Sequence, residues 1–233
     1  MLSKQRGTIL IIGPAMSGRT TAMYAVAEYA ASLLGENYDV TSIEEKVERE
    51  LPFATQIQLN PSGGLTMPVA FEAVMQHRPK VLLLSDMTDP KVARRAVWAG
   101  MEGQIIITCM NAMTTQYAII SLCQTPIERY AVASSLMGVI NMRLVGGAEC
   151  DEYVLSDGDE TAEAIEAEEP NRYPLAEVFL MTESLERTIS REQGYDVIAS
   201  EIGESIHITF AKAAERLLSR RLISPDDIDA ALR

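Results

Sequence analysis

Short apolar segments alternate with longer amphipathic segments along the first 145 residues of the chain. The apolar segments, which turn-forming residues flank, are predicted strands over residues 8–12, 38–43, 55–59, 80–85 and 104–109. Apolar residues at helical spacing predict helices over residues 19–34, 67–77, 90–99 and 114–123. This alternation is typical of a doubly wound α/β domain whose mainly parallel sheet is buried on both faces.

A longer segment, residues 125–144, carries small and apolar residues at helical spacing, and we predict a helix of about five turns there. The apolar stripe of this segment consists of Ala133, Leu136, Met137, Ile140 and Leu144. Such a stripe is more typical of a hydrophobic core than of contact with a cofactor.

The pattern changes after Val145. Residues 149–169 hold ten acidic residues and no basic residue, whereas the other 212 residues account for only −3 of the net charge of −13. We expect a mobile insertion over residues 157–171, preceded by a short strand over residues 152–155. Two interpretations stay open for the acidic stretch, namely a solvated loop and a segment that docks on a basic surface.

The C-terminal part starts with an apolar strand over residues 173–181. Helical segments are predicted over residues 182–190, 195–202 and 204–224, and a last helix begins at the capping residue Ser224. The sequence therefore predicts three regions, which are a nucleotide-binding core (1–148), an acidic insertion (149–171) and a C-terminal strand with a small helical subdomain (172–233).

The acidic composition argues against binding to nucleic acid or to an anionic membrane surface, because both repel a negatively charged protein. No run of 18 apolar residues and no signal-peptide pattern occur, so we expect a cytoplasmic protein that reaches a membrane only through partners. Cys109, Cys123 and Cys150 form no C-x-x-C pair, and the sequence therefore indicates neither a disulfide framework nor a zinc site.

One loop carries the strongest chemical signal. Gly13, Gly18 and Thr20 fit the phosphate-binding pattern G-x-x-x-x-G-K-[ST], with Arg19 in place of the lysine, and the pattern lies between a predicted strand and a predicted helix. Backbone N–H groups of such a loop surround phosphates, and the Thr20 hydroxyl is a ligand for Mg²⁺. The predicted nucleotide-binding residues of the loop are Gly13, Pro14, Ser17, Gly18, Arg19, Thr20 and Thr21. The alternative is a strand-to-helix turn that binds nothing.

Arg19 is not equivalent to the lysine of the pattern. A lysine ammonium is a compact point charge, whereas a guanidinium is planar and holds its donors in a fixed fork. We therefore expect ATP or ADP to bind with Mg²⁺, but weakly. Phosphoryl transfer depends on the positioning of charge, and we expect Arg19 not to reproduce the geometry of the transition state.

Further segments follow the loop in a characteristic order, which is "TSIEEKVE" (41–48), "QIQLNPSGGLT" (56–66), "VLLLSDMTD" (81–89), "AVWAGMEGQIIITCMNA" (96–112) and "ASSLMGVINMRLV" (133–145). This order resembles the motor domain of the type II secretion and type IV pilus ATPase family over the first two thirds of the chain. The resemblance implies a RecA-like P-loop fold, Mg-ATP as ligand, a homo- or hetero-oligomer that is often a ring, and partners in the secretion or pilus machine.

The resemblance also implies site residues. Asp86 stands where the family has its catalytic glutamate and would act on Mg²⁺, and Glu45, together with Glu44 and Glu48, would flank the γ-phosphate. Arg143 matches the arginine of the family's R-L-V segment and would face nucleotide or a neighbouring subunit. Structural alternatives stay open for these residues. Asp86 is then an acid at the solvent-exposed carboxyl end of a buried strand, and the glutamates form a solvated charge cluster. Asp89 is interpreted as a helix cap, and His77 and His207 as structural residues, the latter inside a helix.

The departures from the family pattern indicate a site with reduced catalytic activity. Asp86 is one methylene shorter than glutamate, Lys46 replaces a proline, and the positions of two family histidines carry Gln104 and Asn111. The family also closes its site with an N-terminal domain that contributes arginines, and seven residues precede the first predicted strand. If the chain were complete, closure would need a neighbouring subunit or a partner protein.

Three hypotheses about function follow. The leading one is a degenerate secretion or pilus ATPase that binds ATP weakly and serves as an assembly or regulatory subunit. The second is an active hexameric ATPase that powers the assembly or retraction of pilins or pseudopilins. The third is a P-loop small-molecule phosphotransferase, which the "QIQLNPSGGLT" segment disfavours.

Overall fold

A sheet of eight strands organises the computed structural model, which describes residues 5–35, 38–146 and 172–232. The strands are β1 (Gly7–Gly13), β2 (Val40–Glu44), β3 (Thr55–Gln58), β4 (Val81–Leu84), β5 (Ile105–Asn111), β6 (Leu136–Gly146), β7 (Arg172–Leu180) and β8 (Ile206–Ile208). Their order is β3-β2-β4-β5-β1-β6-β7-β8. The first six in this order are parallel, and β7 and β8 are antiparallel to their neighbours.

The helices cover the faces and one end of this sheet. They are α1 (Arg19–Leu34), α2 (Met67–His77), α3 (Pro90–Met101), α4 (Thr115–Gln124), α5 (Arg129–Ser135), α6 (Glu183–Ser190), α7 (Tyr195–Glu204), α8 (Phe210–Ser219) and α9 (Pro225–Leu232). The five strands and four helices predicted for the first 124 residues are confirmed, with ends that shift by one or two residues. The mainly parallel α/β architecture is confirmed with them.

The central strands are buried on both faces, as β1 shows. Ile9 and Ile11 pack against Met23 of α1, whereas Leu10 and Ile12 face the opposite layer, which includes α3. All four side chains are fully buried, and burial of one such side chain stabilises the fold by about 1.5–3 kcal/mol. The continuous apolar sequence of β1 is the direct result of this double coverage.

The predicted helix over residues 125–144 is wrong in its second half. The helix α5 ends at Ser135, and Leu136 starts β6, which pairs with β1 on one side and β7 on the other. A strand covered on both faces has no alternation of polar and apolar residues, so its apolar run cannot be told from a buried helix by periodicity. Ala133, Leu136 and Met137 are core residues, as the stripe predicted.

The C-terminal part contributes strands as well as helices. The predicted strand after the acidic stretch is β7, but the predicted helix over residues 204–224 contains β8 before α8 begins at Phe210. Phe179, Leu185 and Ile198 lie in the same buried cluster as Leu10 of β1. The described C-terminal residues therefore complete the core of the sheet. The strand predicted over residues 152–155, the acidic stretch and Cys150 lie outside the described residues.

The carboxyl ends of the parallel strands lie at one edge of the sheet. Gly13 ends β1, Glu44 ends β2, Asn111 ends β5, and Asp86 follows β4 by two residues. In doubly wound folds this edge is the usual place for ligands.

Candidate nucleotide-binding site

The loop between β1 and α1 turns through three residues with positive φ. These are Gly13 (φ 151°), Met16 (φ 61°) and Gly18 (φ 84°). Gly18 is the N-cap of α1, and no side chain in the described ranges makes a capping hydrogen bond to this helix. The backbone N–H groups of the first turn are therefore available to an anion at the positive end of the helix dipole.

The two glycines of the phosphate-binding pattern, Gly13 and Gly18, both lie close to β6. A Cβ atom on Gly13 would be 2.4 Å from Ser17 Oγ and 2.5 Å from the carbonyl oxygen of Met142. On Gly18, a Cβ atom would be 3.3 Å from Leu144 Cδ2. The loop thus lies directly on the carboxyl half of β6, and Gly13 has no room for a side chain.

Ser17 is buried inside this loop with 4% of its surface exposed. Its Oγ has no hydrogen-bond partner among the described residues. A buried hydroxyl without a partner is unfavourable and needs an explanation in a native structure. A phosphate oxygen in the loop would supply that partner.

Charged side chains from three parts of the chain shift the pKa of one buried thiol, that of Cys109 in β5. Burial raises the pKa of Cys109 to about 12, and Arg19 acts in the opposite direction. Glu44, Glu48 and Asp86 act in the same direction as burial and contribute to this raised pKa. Arg19 and the predicted acidic residues therefore lie around the same end of the sheet, although they are far apart in the sequence.

Asp86 is partly exposed at this edge. Its Oδ1 accepts hydrogen bonds from the backbone N–H of Thr88 at 2.9 Å and from Thr88 Oγ1 at 2.6 Å. One strand, β5, separates β4 from β1, so the axes of these two strands are about 10 Å apart. Asp86 and the phosphate-binding loop therefore lie on the same edge of the sheet, on either side of β5.

The residues present fit a magnesium ion that arrives with a nucleotide. The Thr20 hydroxyl and an oxygen of Asp86 are the hard oxygen ligands that Mg²⁺ prefers, and Mg²⁺ keeps most of its other positions for phosphates and water. No group of three or more His, Cys, Asp or Glu residues that would hold a metal by itself occurs in the described ranges. When bound, the ion would neutralise charge on the phosphate oxygens.

Glu44 differs sharply from the other two glutamates of its segment. It is 1% exposed, and its carboxylate accepts hydrogen bonds from the Tyr24 hydroxyl, from Ser42 Oγ at 2.5 Å and from Gln56 Nε2 at 3.2 Å. Glu45 and Glu48 are exposed. Glu44 is therefore a residue that holds the segment in place, and the exposed pair is free to face a ligand.

Two glutamines of β3 hold the same acidic segment from its other side. Gln56 Oε1 accepts a hydrogen bond from the N–H of Leu51 at 2.7 Å, and Gln56 Nε2 donates to the carbonyl oxygen of Arg49 at 3.1 Å. Gln58 Oε1 accepts from the N–H of Val47 at 3.0 Å. The acidic segment is thus attached to α1 through Tyr24 and to β3 through these glutamines.

Sequence reasoning missed Tyr24 and Gln56 as parts of the site. A weak signal existed, because Tyr24 lies on the buried face of α1 and a buried hydroxyl needs a partner. Gln56 and Gln58 stand two apart in a short strand, which indicates polar contacts on one face.

Replacement of Tyr24 by phenylalanine is expected to lower the free energy of unfolding by about 1–3 kcal/mol, because the buried carboxylate of Glu44 loses a donor. Urea unfolding measures this change. Tyr29→Phe on the same helix is the matched control, since Tyr29 is 60% exposed, and a change within about 0.5 kcal/mol is expected there. Equal effects of the two substitutions would contradict the network.

The same contact predicts a pH dependence. Burial and the hydrogen bond to Glu44 raise the pKa of Tyr24 from 10.0 to about 12 in the folded protein. The unfolded chain therefore loses this proton first, and the stabilisation is complete below pH 10 and is lost as the pH rises towards 12. The difference in stability between the native protein and Tyr24→Phe should shrink over this interval in unfolding experiments at stepped pH.

Arg143 lies on β6 and is 7% exposed. Its guanidinium donates to Asn141 Oδ1 at 2.9 Å, to the carbonyl oxygen of Met142 at 2.8 Å and to the carbonyl oxygen of Met113 at 3.0 Å. The ring centroid of Phe210 lies 5.4 Å from Arg143 Cζ. Burial lowers the pKa of Arg143 from its ordinary value, while Glu177 raises it. These contacts hold the side chain between β6, the segment after β5 and Phe210 of α8.

Other predicted residues have simpler places. Asp89 caps α3 as predicted, because Oδ1 accepts from the N–H groups of Lys91 at 2.8 Å and Val92 at 3.1 Å. His77 is exposed at the end of α2, whereas His207 is exposed on β8 and not inside a helix. Gln104 and Asn111 lie at opposite ends of β5, with Asn111 at the site and Gln104 at the far edge.

The chain is similar to proteins of secretion, pilus and competence systems. A family model described as "Type II/IV secretion system protein" matches residues 1–228. The type II secretion system protein HxcR of Pseudomonas aeruginosa is 30% identical over 62% of the chain and 30% of its own length. The competence protein ComGA of Streptococcus pneumoniae is 31% identical over 67% of the chain and 49% of its own length. The chain thus spans less than half the length of these relatives.

Among solved structures, the Legionella pneumophila ATPase DotB has the same fold. Its TM-score is 0.71 with 15% identity, over 97% of this chain and 60% of DotB. This likeness confirms the predicted RecA-like architecture. None of the helices in the described ranges has the length and hydropathy of a membrane span. With a family match that extends over nearly all of its residues, the chain belongs to the type II/IV secretion system protein family.

Proposed function

We propose that this chain is a nucleotide-binding domain of the secretion and pilus motor ATPase type that binds Mg-ATP weakly and hydrolyses it slowly or not at all. It serves as an assembly or regulatory subunit of a secretion or pilus machine. In that machine it belongs to a homo- or hetero-oligomer, for which a ring is one arrangement. It works on the cytoplasmic side and binds no nucleic acid.

The observation that carries the binding part of the proposal is the loop between β1 and α1. Gly13 leaves no space for a side chain, and among the described residues the helix that follows has no side-chain cap and Ser17 Oγ has no partner. A phosphate group would satisfy the hydroxyl and the first-turn N–H groups together. The nucleotide-binding residues proposed here are those of the loop, with Arg19 as the cation.

The weak hydrolysis is supported by Arg19 and Asp86. A guanidinium cannot occupy the position of a lysine ammonium, because it is wider and planar. Asp86 is shorter than glutamate, and its Oδ1 already accepts two hydrogen bonds from Thr88. A displacement of a catalytic group by about 1 Å can lower a rate a hundredfold. Glu45 is proposed as the remaining acid that can act on an attacking water, because it is exposed beside Glu44.

Calorimetric titration with Mg-ATP and Mg-ADP tests the proposal. We expect binding in the micromolar range, weakened about tenfold or more in Arg19→Ala, and a turnover below about 1 s⁻¹. Arg187→Ala, an exposed arginine of α6, is the control and should bind as the native chain does. The double variant Arg19→Lys with Asp86→Glu should hydrolyse ATP faster than the native chain.

Three results would contradict the proposal. No binding up to millimolar nucleotide would identify the loop as a turn without a ligand. Turnover above about 1 s⁻¹, lost in Asp86→Ala, would instead identify an active motor. Product formation on a panel of phosphate acceptors would favour a phosphotransferase.

A further inference from the structure

A basic groove lies at the edge of the sheet opposite the nucleotide site. Its volume is about 970 Å³, and it is lined by α2, α3 and the segments that precede β2, β4 and β5. Arg78, Lys80 and Arg95 contribute three cations, and Glu102 contributes one acid. Since β5 is seven residues long, about 20 Å separates this groove from the phosphate loop. A nucleotide in the loop does not reach it.

Hydrogen bonds hold the floor of the groove in place. Lys80 Nζ donates to the carbonyl oxygen of Gly103 at 2.6 Å, and Gln104 Nε2 donates to the carbonyl oxygen of Pro79 at 2.6 Å. The two segments that enter β4 and β5 are therefore joined to each other. Arg78 is the C-cap of α2, with a left-handed backbone (φ 50°) and its N–H bonded to the carbonyl oxygen of Met75, so the end of this helix fixes its backbone at the groove.

The two arginines of the groove are available to a ligand. Arg78 and Arg95 are exposed, and neither has an acidic partner within 4.0 Å in the described part of the chain. Two such forks attract carboxylates, which bind arginine in a bidentate manner. The groove carries a net positive charge, whereas the total charge of −13 disfavours nucleic acid as the ligand.

We propose that the groove binds an acidic polypeptide segment, namely residues 149–169 of a second copy of this chain. That stretch supplies ten carboxylates and no basic residue, so its charge is complementary to that of the groove. Contacts between these two different surfaces join the copies head to tail.

The ends of the described strands favour a second copy over the same copy. Gly146 ends β6 and Arg172 begins β7, and both lie at the carboxyl edge of the parallel strands, opposite the groove. Within one copy the chain would have to cross the width of several strands and the length of β5, and then return. The acidic segment can reach the groove of a neighbouring copy without crossing its own sheet.

Two complementary variants test the contact in sedimentation velocity at about 0.15 M salt, where general repulsion is screened beyond about 8 Å. One variant is Arg78→Glu with Arg95→Glu, and the other has a glycine-serine linker in place of residues 149–169. We expect the native chain to self-associate and each variant alone to be monomeric. Their mixture should form a 1:1 pair that grows no further, because only one groove and one acidic segment match.

A labelled peptide of residues 149–169 provides the second measurement. It should bind the linker variant, and the affinity should fall about tenfold or more in the groove variant or with all acids changed to amides. Arg191→Glu with Arg220→Glu changes two exposed arginines outside the groove and should leave association unchanged. Mg-ATP titration of the groove variant controls for its fold.

Three outcomes would overturn the proposal. The linker variant would associate like the native chain, or the peptide would bind the groove variant as tightly as the linker variant. In the third outcome, the native chain stays monomeric and does not bind the peptide while the linker variant does, which identifies docking within one copy.

Discussion

Replacement of Gly13 by alanine is expected to destabilise the fold by about 2–4 kcal/mol and to abolish nucleotide binding. The new Cβ would lie 2.4 Å from Ser17 Oγ and 2.5 Å from the carbonyl oxygen of Met142. Overpacking of this kind costs about 1–3 kcal/mol, and the φ of 151° adds roughly 1 kcal/mol of strain. The carbonyl oxygen belongs to a central strand, so the loop and not β6 has to move. Urea unfolding and Mg-ATP titration measure the two effects.

Gly103→Ala is the matched control for this prediction. Gly103 has a φ of 119°, and a Cβ atom there would have no atom of the described residues within 4 Å. It therefore reports the cost of the backbone conformation alone, which is about 1–2 kcal/mol. Nucleotide binding should be unchanged. If both alanines lowered stability equally, the close approach of the loop to β6 would not be the reason for glycine at position 13.

Arg143→Met is expected to lower the free energy of unfolding by about 3 kcal/mol. Its removal leaves the carbonyl oxygen of Met142 and the side-chain oxygen of Asn141 without this donor, and each unpaired buried group costs about 1–3 kcal/mol. The carbonyl oxygen of Met113 keeps a second donor, Asn141 Nδ2 at 3.2 Å. The stability of Arg143→Lys should lie between that of the native chain and that of Arg143→Met, because one ammonium cannot reproduce the planar fork of donors.

Unfolding and Mg-ATP titration of Arg143→Met together decide whether Arg143 holds the fold or touches the nucleotide. Arg129→Met is the control, since Arg129 is only half-buried and its guanidinium stacks 4.6 Å from the ring of Tyr195. A loss below about 1 kcal/mol is expected there. If Arg143→Met weakened nucleotide binding without loss of stability, Arg143 would touch the nucleotide, as the family resemblance implies. We expect stability and affinity to fall together.

The parts of the fold that could be predicted are those whose cause is local. The apolar run of β1, the glycines of the loop and the capped start of α3 each carry their own signal. The sequence of β6 instead predicts a helix, because a strand between two others is apolar on both faces. Its identity depends on its neighbours, which the sequence does not display.

The site shows the same division. The loop residues follow from one short pattern, whereas the burial of Glu44 follows from contacts with Tyr24 and Gln56, which lie 20 and 12 residues away. The sequence presents three glutamates between positions 44 and 48, and only the packing of α1 and β3 distinguishes the buried one from the two exposed ones. The basic groove was not predicted for the same reason, since Arg78 and Arg95 are on different elements.

The position of β6 has a consequence for local opening. This strand contacts the phosphate loop at Gly13 and Gly18, and through Arg143 it also contacts Phe210 of α8. Val145, near its end, packs with Leu175 and Ala214 in the cluster that includes α9. In hydrogen exchange, the amides of β1, β6 and α8 should therefore become accessible in one cooperative event. A nucleotide that slows this event in the loop should also slow it in the C-terminal helices.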